Sequence, residues 1–451
     1  MSNFEIGIHL FLQLAVIIAT CRAVGWLGRR FLGQTQVFME MVAGVVLGPS
    51  LLGLFLPSAQ SFLFPKTLAI TAVSGAIVEV AHPNMVILYA LAQVGLVLYM
   101  FVIGLEFDLA LLRGRAKSAG LVSAAGIVVP FACGALLLPY LLSRGDLFAP
   151  GVSAGIAWLF VGASISITAF PMLARILYER GIANTHLGAL TLAAGSLDDA
   201  VAWCLLALVL ALFGKDPAAA WKAIGGGVLY AVAILTVGRR LFAVFARSFG
   251  SRGELSTDAF TGVVVILMAC AWFTDAIGIY AVFGAFLCGA AMPKGEFAAV
   301  LTDRIEQLTT SLFLPMFFVY SGLNTKIGLV NTADLWMLTA VVVMVSIVGK
   351  GVACMLAARL AGESWRHSSV IGVLMNARGL MELILLNIGL ERGVITPTFF
   401  TIMVLMAVVT TGMASPLYQI LSRGLVLEGA RVPGTRRLLV PNGEREVRSP
   451  L

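Results

Sequence analysis

Asp198 and Asp199 stand side by side in a run that is otherwise apolar from Leu187 to Phe213, long enough to cross a bilayer. Placing one ionised side chain at mid-membrane costs about 2.5–3.5 kcal/mol on insertion scales, so two in succession mark a site rather than packing. Adjacent side chains on a helix point about 100° apart, and the two carboxylates cannot face one small ion in the same way. The natural division gives one of them a fixed cationic partner and turns the other towards a watery cavity. Lys350, deep in Val345-Ser346-Ile347-Val348-Gly349-Lys350-Gly351, is the expected partner, because a buried ammonium needs a carboxylate as much as the carboxylate needs it.

Other polar residues fall in apolar surroundings. Arg378 and Glu382 are four apart, the spacing of an intrahelical ion pair, and are expected to neutralise each other where the apolar run is interrupted. Glu40, Ser196 and Asn376 are candidate cavity residues. Pro171 removes a backbone donor and frees carbonyls near Ile167, so that stretch, with Thr168 and Ser166, offers hard oxygen ligands. Oxygen sites of this kind suit Na⁺ or K⁺ and disfavour soft transition metals. Asp199, Asp198, Thr168 and Ser166 are therefore the candidate ion- and proton-binding residues, with alkali cations the only metals expected. A desolvated carboxylate prefers its proton, whereas a bound cation favours the ionised form. If such an acid is opened to one side at a time, that competition couples the two fluxes in opposite directions.

The elements that hold these residues follow from composition. The chain of 451 residues is 60% hydrophobic and only 12% charged, about half the charge of a soluble domain. Apolar runs at about 6–25, 33–53, 86–105, 118–142, 151–176, 187–213, 219–238, 256–275, 278–293, 308–323, 334–358, 368–390 and 396–421 predict an all-α integral membrane protein of about 13 transmembrane helices. Basic residues cluster in the odd-numbered connections (Arg22, Arg29, Arg30; Arg113, Arg115, Lys117; Arg239, Arg240, Arg247, Arg252) and in the tail. The even-numbered connections hold only Lys66, Arg144, Lys215, Lys222, Lys326 and Arg392. This asymmetry puts the N-terminus outside and the C-terminus in the cytoplasm. The net charge of +7 thus reflects topology, and no nucleic-acid partner is expected. The six cysteines form no CxxC or Cys/His cluster, so neither disulfides, a metal centre nor any cofactor is predicted. The four histidines are expected at surface or interfacial positions. An odd number of spans permits two inverted-topology six-helix repeats with the seventh span as connector. The interrupted fifth and twelfth spans fall at matching repeat positions, where broken helices expose dipole ends as ion sites.

In order and spacing these segments resemble the monovalent cation/proton antiporter superfamily, in its second branch of potassium-efflux proteins, bacterial sodium/proton antiporters and plant and fungal cation/proton exchangers. The resemblance runs through Gly33-Gln34 with Glu40, Leu47-Gly48-Pro49-Ser50-Leu51-Leu52-Gly53 and Phe101-Val102-Ile103-Gly104-Leu105-Glu106. It continues in Thr168-Ala169-Phe170-Pro171-Met172-Leu173-Ala174-Arg175, Asp198-Asp199, Lys350 and Met375-Asn376-Ala377-Arg378-Gly379-Leu380-Met381-Glu382-Leu383. It implies a homodimer in a bacterial-type plasma membrane, with crossed broken helices. Residues 1–105 and 256–323 would form a dimer domain, 118–213 and 334–421 a moving core, 219–243 a linking helix, and 422–451 a basic cytoplasmic tail. By position, Asp199 would be the ion- and proton-binding acid, Asp198 the partner of Lys350, and Thr168 a ligand at the crossing. Two adjacent acids imply more than one proton per cation. Thr35 stands where the family usually has proline, and no fused regulatory nucleotide-binding domain is expected.

The function expected is therefore exchange of Na⁺ or K⁺ for H⁺. A cation channel is a rival reading, opposed by the fixed charge of Lys350; a carrier exporting an organic ion is another. No nucleophile–base pair, HExxH or phosphate loop suggests an enzyme.

Overall fold

The computed structural model describes residues 3–71, 77–106, 116–183, 185–213, 217–249, 255–278 and 280–423. Arg113, Arg115, Lys215, Arg252 and the tail from residue 424 lie outside them. The chain opens with α1 (Asn3–Leu27), then α2 (Gln36–Leu47), α3 (Leu52–Phe55) and α4 (Pro57–Leu63). A hairpin of β1 (Thr67–Thr71) and β2 (Ile77–Ala81) follows, antiparallel in the register Thr67 with Ala81. Then come α5 (Pro83–Glu106), α6 (Ala116–Arg144), α7 (Ala154–Ser166), α8 (Phe170–Glu179), α9 (His186–Phe213), α10 (Pro217–Ala233) and α11 (Arg239–Phe249). The last third holds α12 (Thr257–Ala276), α13 (Ala281–Ala291), α14 (Glu296–Leu308), α15 (Leu314–Leu323), α16 (Ala333–Ser346), α17 (Ala353–Leu360), α18 (Trp365–Met375), α19 (Leu380–Glu391) and α20 (Pro397–Leu421).

Among the described residues, nine helices are long and apolar enough to cross a membrane, and the chain is a multi-pass membrane protein. Helix starts obey local chemistry. Ser153, Ser256, Thr332, Ser364 and Thr396 precede α7, α12, α16, α18 and α20, and each side-chain oxygen accepts the backbone N–H three residues on.

The departures from the sequence expectation have physical causes. The hairpin is the exception to an all-helical chain: Thr-Leu-Ala-Ile-Thr and Ile-Val-Glu-Val-Ala are rich in β-branched residues, which suit a pleated surface. The run expected at 33–53 is found as a span over Gln36–Phe55, its helix interrupted after Leu47 by Gly48-Pro49. The span expected from residue 308 belongs to a helix that starts at Glu296. Its charged first half hides it from a hydropathy reading, yet Ala298, Leu301 and Ile305 bury one face. The span at 278–293 is realised as the 11-residue α13. His82, expected at a surface, is buried beside His9, with ring centroids 6.2 Å apart.

Packing separates two sets of neighbours. α5 lies on α13 and α15, and α2 on α15 and α1; α6, α7, α9, α17 and α18 pack on one another, with α20 against α16 and α18. The turn between α1 and α2 reaches the second set: Gly33, in the left-handed region at φ 58°, accepts from Arg180 at 2.6 Å, and Gln34 donates to Gly412 O at 2.7 Å. Backbones meet where glycines permit it, since helices in lipid associate by close packing. A Cβ on Gly322 would lie 2.1 Å from the carbonyl carbon of Gly44, and one on Gly289 would lie 2.2 Å from Phe101 O. Backbone cannot yield as a side chain does. Gly322→Val is therefore expected to cost about 1–3 kcal/mol or more. Thermal unfolding of detergent-purified protein should show it against Gly328→Val, whose new Cβ meets no atom within 4 Å.

Candidate functional site

The fifth apolar run is broken as Pro171 demands. α7 ends at Ser166, residues 167–169 are non-helical, and α8 begins at Phe170, so proline takes the second position of a helix, where its missing N–H costs nothing. The twelfth run breaks likewise between Met375 and Leu380. The breaks touch: Ala169 N donates to Ala377 O at 3.1 Å, and the Thr168 hydroxyl lies 2.8 Å from Met375 O.

A broken helix leaves its last four carbonyls without intrahelical partners, and its C-terminal end carries partial negative charge. In α7 that end is held by two buried cations. The Arg378 guanidinium donates to Ser164 O at 2.6 Å, to Ile165 O at 2.5 Å and to Ile167 O at 3.5 Å. Lys350 donates to Ser166 O, and also to Gly126 O at 3.1 Å. Thr411 fixes the arginine from α20: its hydroxyl accepts from Arg378 N and donates to Arg378 O, both at 2.9 Å.

Lys350 Nζ stands 2.7 Å from Asp198 Oδ2, and both side chains are wholly buried. The same carboxylate oxygen lies 2.8 Å from the Thr168 hydroxyl. That hydroxyl has one proton for two acceptors, Asp198 and Met375 O, so it can turn between them. Gly126 lies against this group: a Cβ there would come within 2.7 Å of Cys354 Sγ and would touch Lys350 Nζ and Asp198 Oδ2 at 3.5 and 3.7 Å. Lys350 itself lies on Ile347–Val352, a wider helical turn between α16 and α17 of the kind that often marks functional positions. Asp199, the next residue on α9, is fully buried about 100° round the helix.

The structure thus brings Asp198, Lys350 and Thr168 into one hydrogen-bonded group. Ser166 enters it through its main-chain oxygen, because its hydroxyl donates back to Ala163 O at 3.1 Å. Ser196 likewise donates to its own helix, at Ala193 O, 2.8 Å away. Arg378 and Glu382 approach to 3.5 Å. Asn376, buried at the second break, lines a cavity of about 290 Å³ between α17, α18 and α20 that neither aspartate lines. Glu40 sits on α2, one oxygen accepting from Gln36 at 2.9 Å. The sequence reading did not single out Gly126, Ser346 or Thr411; each is a small residue in an apolar run, and only the fold gives it a neighbour.

Two broken helices crossing beside buried acids and a lysine define the class. The chain matches the family described as "Sodium/hydrogen exchanger, transmembrane" over residues 15–422, and it belongs to that family. It is 40% identical over 408 residues to the Na⁺/H⁺ antiporter NhaS4 of Synechocystis, covering 90% of this chain and 95% of that protein. It is 30% identical to the K⁺/H⁺ antiporter 1 of Saccharomyces cerevisiae, over 95% of this chain but only 48% of the yeast protein. Its fold is similar to that of the sodium proton antiporter MjNhaP1 from Methanocaldococcus jannaschii, with a TM-score of 0.61, 14% identity, and coverage of 92% of this chain and 98% of that one.

Removing one partner of a buried ion pair costs about 3–5 kcal/mol, because the other charge is left alone. Lys350→Ala and Asp198→Asn should each lower the thermal midpoint. The double variant should lose less than the sum of the two, a coupling that a double-mutant cycle measures.

Proposed function

We propose that the protein is a secondary-active antiporter exchanging a monovalent cation, Na⁺ or K⁺, for H⁺. The observation that carries this is the wholly buried Asp198–Asp199 pair beside the crossing of two broken helices, with Asp198 bound to Lys350 and Thr168. Membership of the sodium/hydrogen exchanger family supports the reaction class, and the relatives named for Na⁺ and for K⁺ support both cations as candidate cargo.

Asp199 is the exchanging acid. A carboxyl group can hold a proton or a small cation but not both, so cation entry expels the proton. The Thr168 hydroxyl supplies a further oxygen for the ion, in exchange for part of its hydration shell. Lys350 neutralises Asp198, so the neighbouring acid carries the net change of charge. A channel would need a continuous pathway past the fixed charge of Lys350, which disfavours it; an organic cargo would need a wider cavity around Asp199.

Around this site we infer 13 spans in two inverted repeats. α7–α8 and α18–α19 are the broken pair, α6–α9 and α16–α20 the moving core, and α1–α5 with α12–α15 the dimer-forming body. The protein then sits as a homodimer in the plasma membrane, N-terminus outside and C-terminus in the cytoplasm, and access alternates as the core moves against the dimer body.

In proteoliposomes, dissipation of an imposed pH gradient by Na⁺, K⁺ and Li⁺ in turn identifies the cargo. Asp199→Asn should lose cation-driven proton movement by at least about 100-fold, the scale expected when the only exchanging acid is removed. Full activity in that variant would sink the assignment.

A further inference from the structure

We propose that the cavity between α17, α18 and α20 binds a neutral amphiphile, an apolar body with one hydroxyl group, taken up from the surrounding bilayer. The cavity holds about 290 Å³, and its walls are chiefly apolar, with Ile347, Val352, Met355, Val373, Met413 and Leu417 among them. Asn376, at the break that follows α18, joins these walls and is itself buried. Its Oδ1 meets no donor among the described residues. The other polar walls have no proton to offer it. Ser369 donates to Trp365 O and Thr410 to Met406 O, both at 2.9 Å, so each hydroxyl serves its own helix. No charged residue lines the cavity, and an ionic ligand would find no counter-charge there.

These demands select the occupant. A bare acyl chain would cover the walls but leave the Asn376 oxygen without a donor, and an unmet buried polar group is costly. A water molecule would serve the amide yet find few other partners and leave the apolar walls uncovered. A hydroxyl on an apolar body does both, since it can donate to the amide oxygen and accept from the amide nitrogen. Entry is from the lipid side: Val352, in the wall, is exposed in one line with Val348 and Leu356, four residues before and after it. The site lies apart from the aspartates but bears on their supports. Ile347, Gly351 and Val352 belong to the wider turn that carries Lys350. Asn376 sits between Met375 and Ala377, whose carbonyls meet Thr168 and Ala169 at the crossing. An occupant packed against both restrains the turn and the break together. On the antiporter reading above, it lowers the maximal exchange rate and leaves the half-saturating cation concentration unchanged.

The test uses the full chain in lipid nanodiscs and an octanol carrying a diazirine. Light expels N₂ from the diazirine, the carbene inserts into a neighbouring bond, and mass spectrometry maps the labelled residue. Saturable labelling is expected on Met355, Val373 or Met413. Octan-1-ol should compete about tenfold better than its isomer heptyl methyl ether, which has no O–H to donate, the scale of one hydrogen bond. Val352→Trp, at the exposed mouth, should abolish wall labelling, and Asn376→Leu should erase the preference for alcohol over ether. Equal competition by the ether in the wild type, or labelling that neither saturates nor responds to Val352→Trp, marks a groove filled by bilayer chains and overturns the proposal. The comparison of alcohol with ether needs only the wild type, so it decides even if Asn376→Leu does not fold. In proteoliposomes, octan-1-ol should slow cation-driven proton movement more in the wild type than in Val352→Trp; equal slowing overturns the link to exchange. Absence of such movement in wild-type vesicles would instead sink the antiporter reading, and photolabelling, which needs no transport, would still decide the site.

Discussion

The arrangement hangs on a shortage of backbone partners. When α7 stops at Ser166 inside the apolar body of the protein, its final carbonyls have neither helix nor water to bond. Two cations meet that need, Arg378 from the opposite break and Lys350 from the wider turn after α16. Each must itself be compensated, which is why carboxylates lie within reach of both. The charged residues of the core therefore form a chain of mutual necessity that begins with a missing hydrogen bond.

Two tasks that look alike in composition are separate in the structure. Arg378 and Lys350 both cap carbonyls, but Lys350 also shares a short bond with Asp198, whereas Arg378 spends its Nη protons on the helix end and Ser346. A guanidinium fits the first role because its planar fork presents several donors in fixed directions. A compact ammonium on a flexible stem fits the second, where a carboxylate, a serine carbonyl and Gly126 O converge on one nitrogen. Exchanging the two residues would keep the charge and lose the geometry.

The surrounding fold provides rigidity at one place and freedom at another. Glycine contacts such as Gly44 with Gly322 and Gly104 with Gly289 bring helix backbones together and leave no slack between them. The link from the α1–α2 turn to α8 and α20 is polar and small, built from Arg180, Gly33 O, Gln34 and Gly412 O. Apolar backbone-to-backbone packing resists displacement, whereas a few hydrogen bonds at a turn can break and reform at little net cost.

Much of this was legible in the residues. Charges in apolar runs are costly enough that Asp198, Asp199, Lys350, Arg378 and Glu382 identify themselves, and Pro171 marks its own break because it cannot donate. Hydropathy failed where helices were amphipathic, as at Glu296–Leu308, and was silent on the β-branched segments between the second and third apolar runs. The partners of the buried charges lay beyond sequence, since Gly126, Ser346 and Thr411 carry no local signal and meet Lys350 or Arg378 only across the fold. Spacing four apart suggested that Arg378 and Glu382 would pair, and they lie 3.5 Å apart; what the tertiary structure alone decided is that the same guanidinium also donates to the end of α7, because unpartnered carbonyls in a dry interior compete for donors as strongly as a nearby carboxylate does.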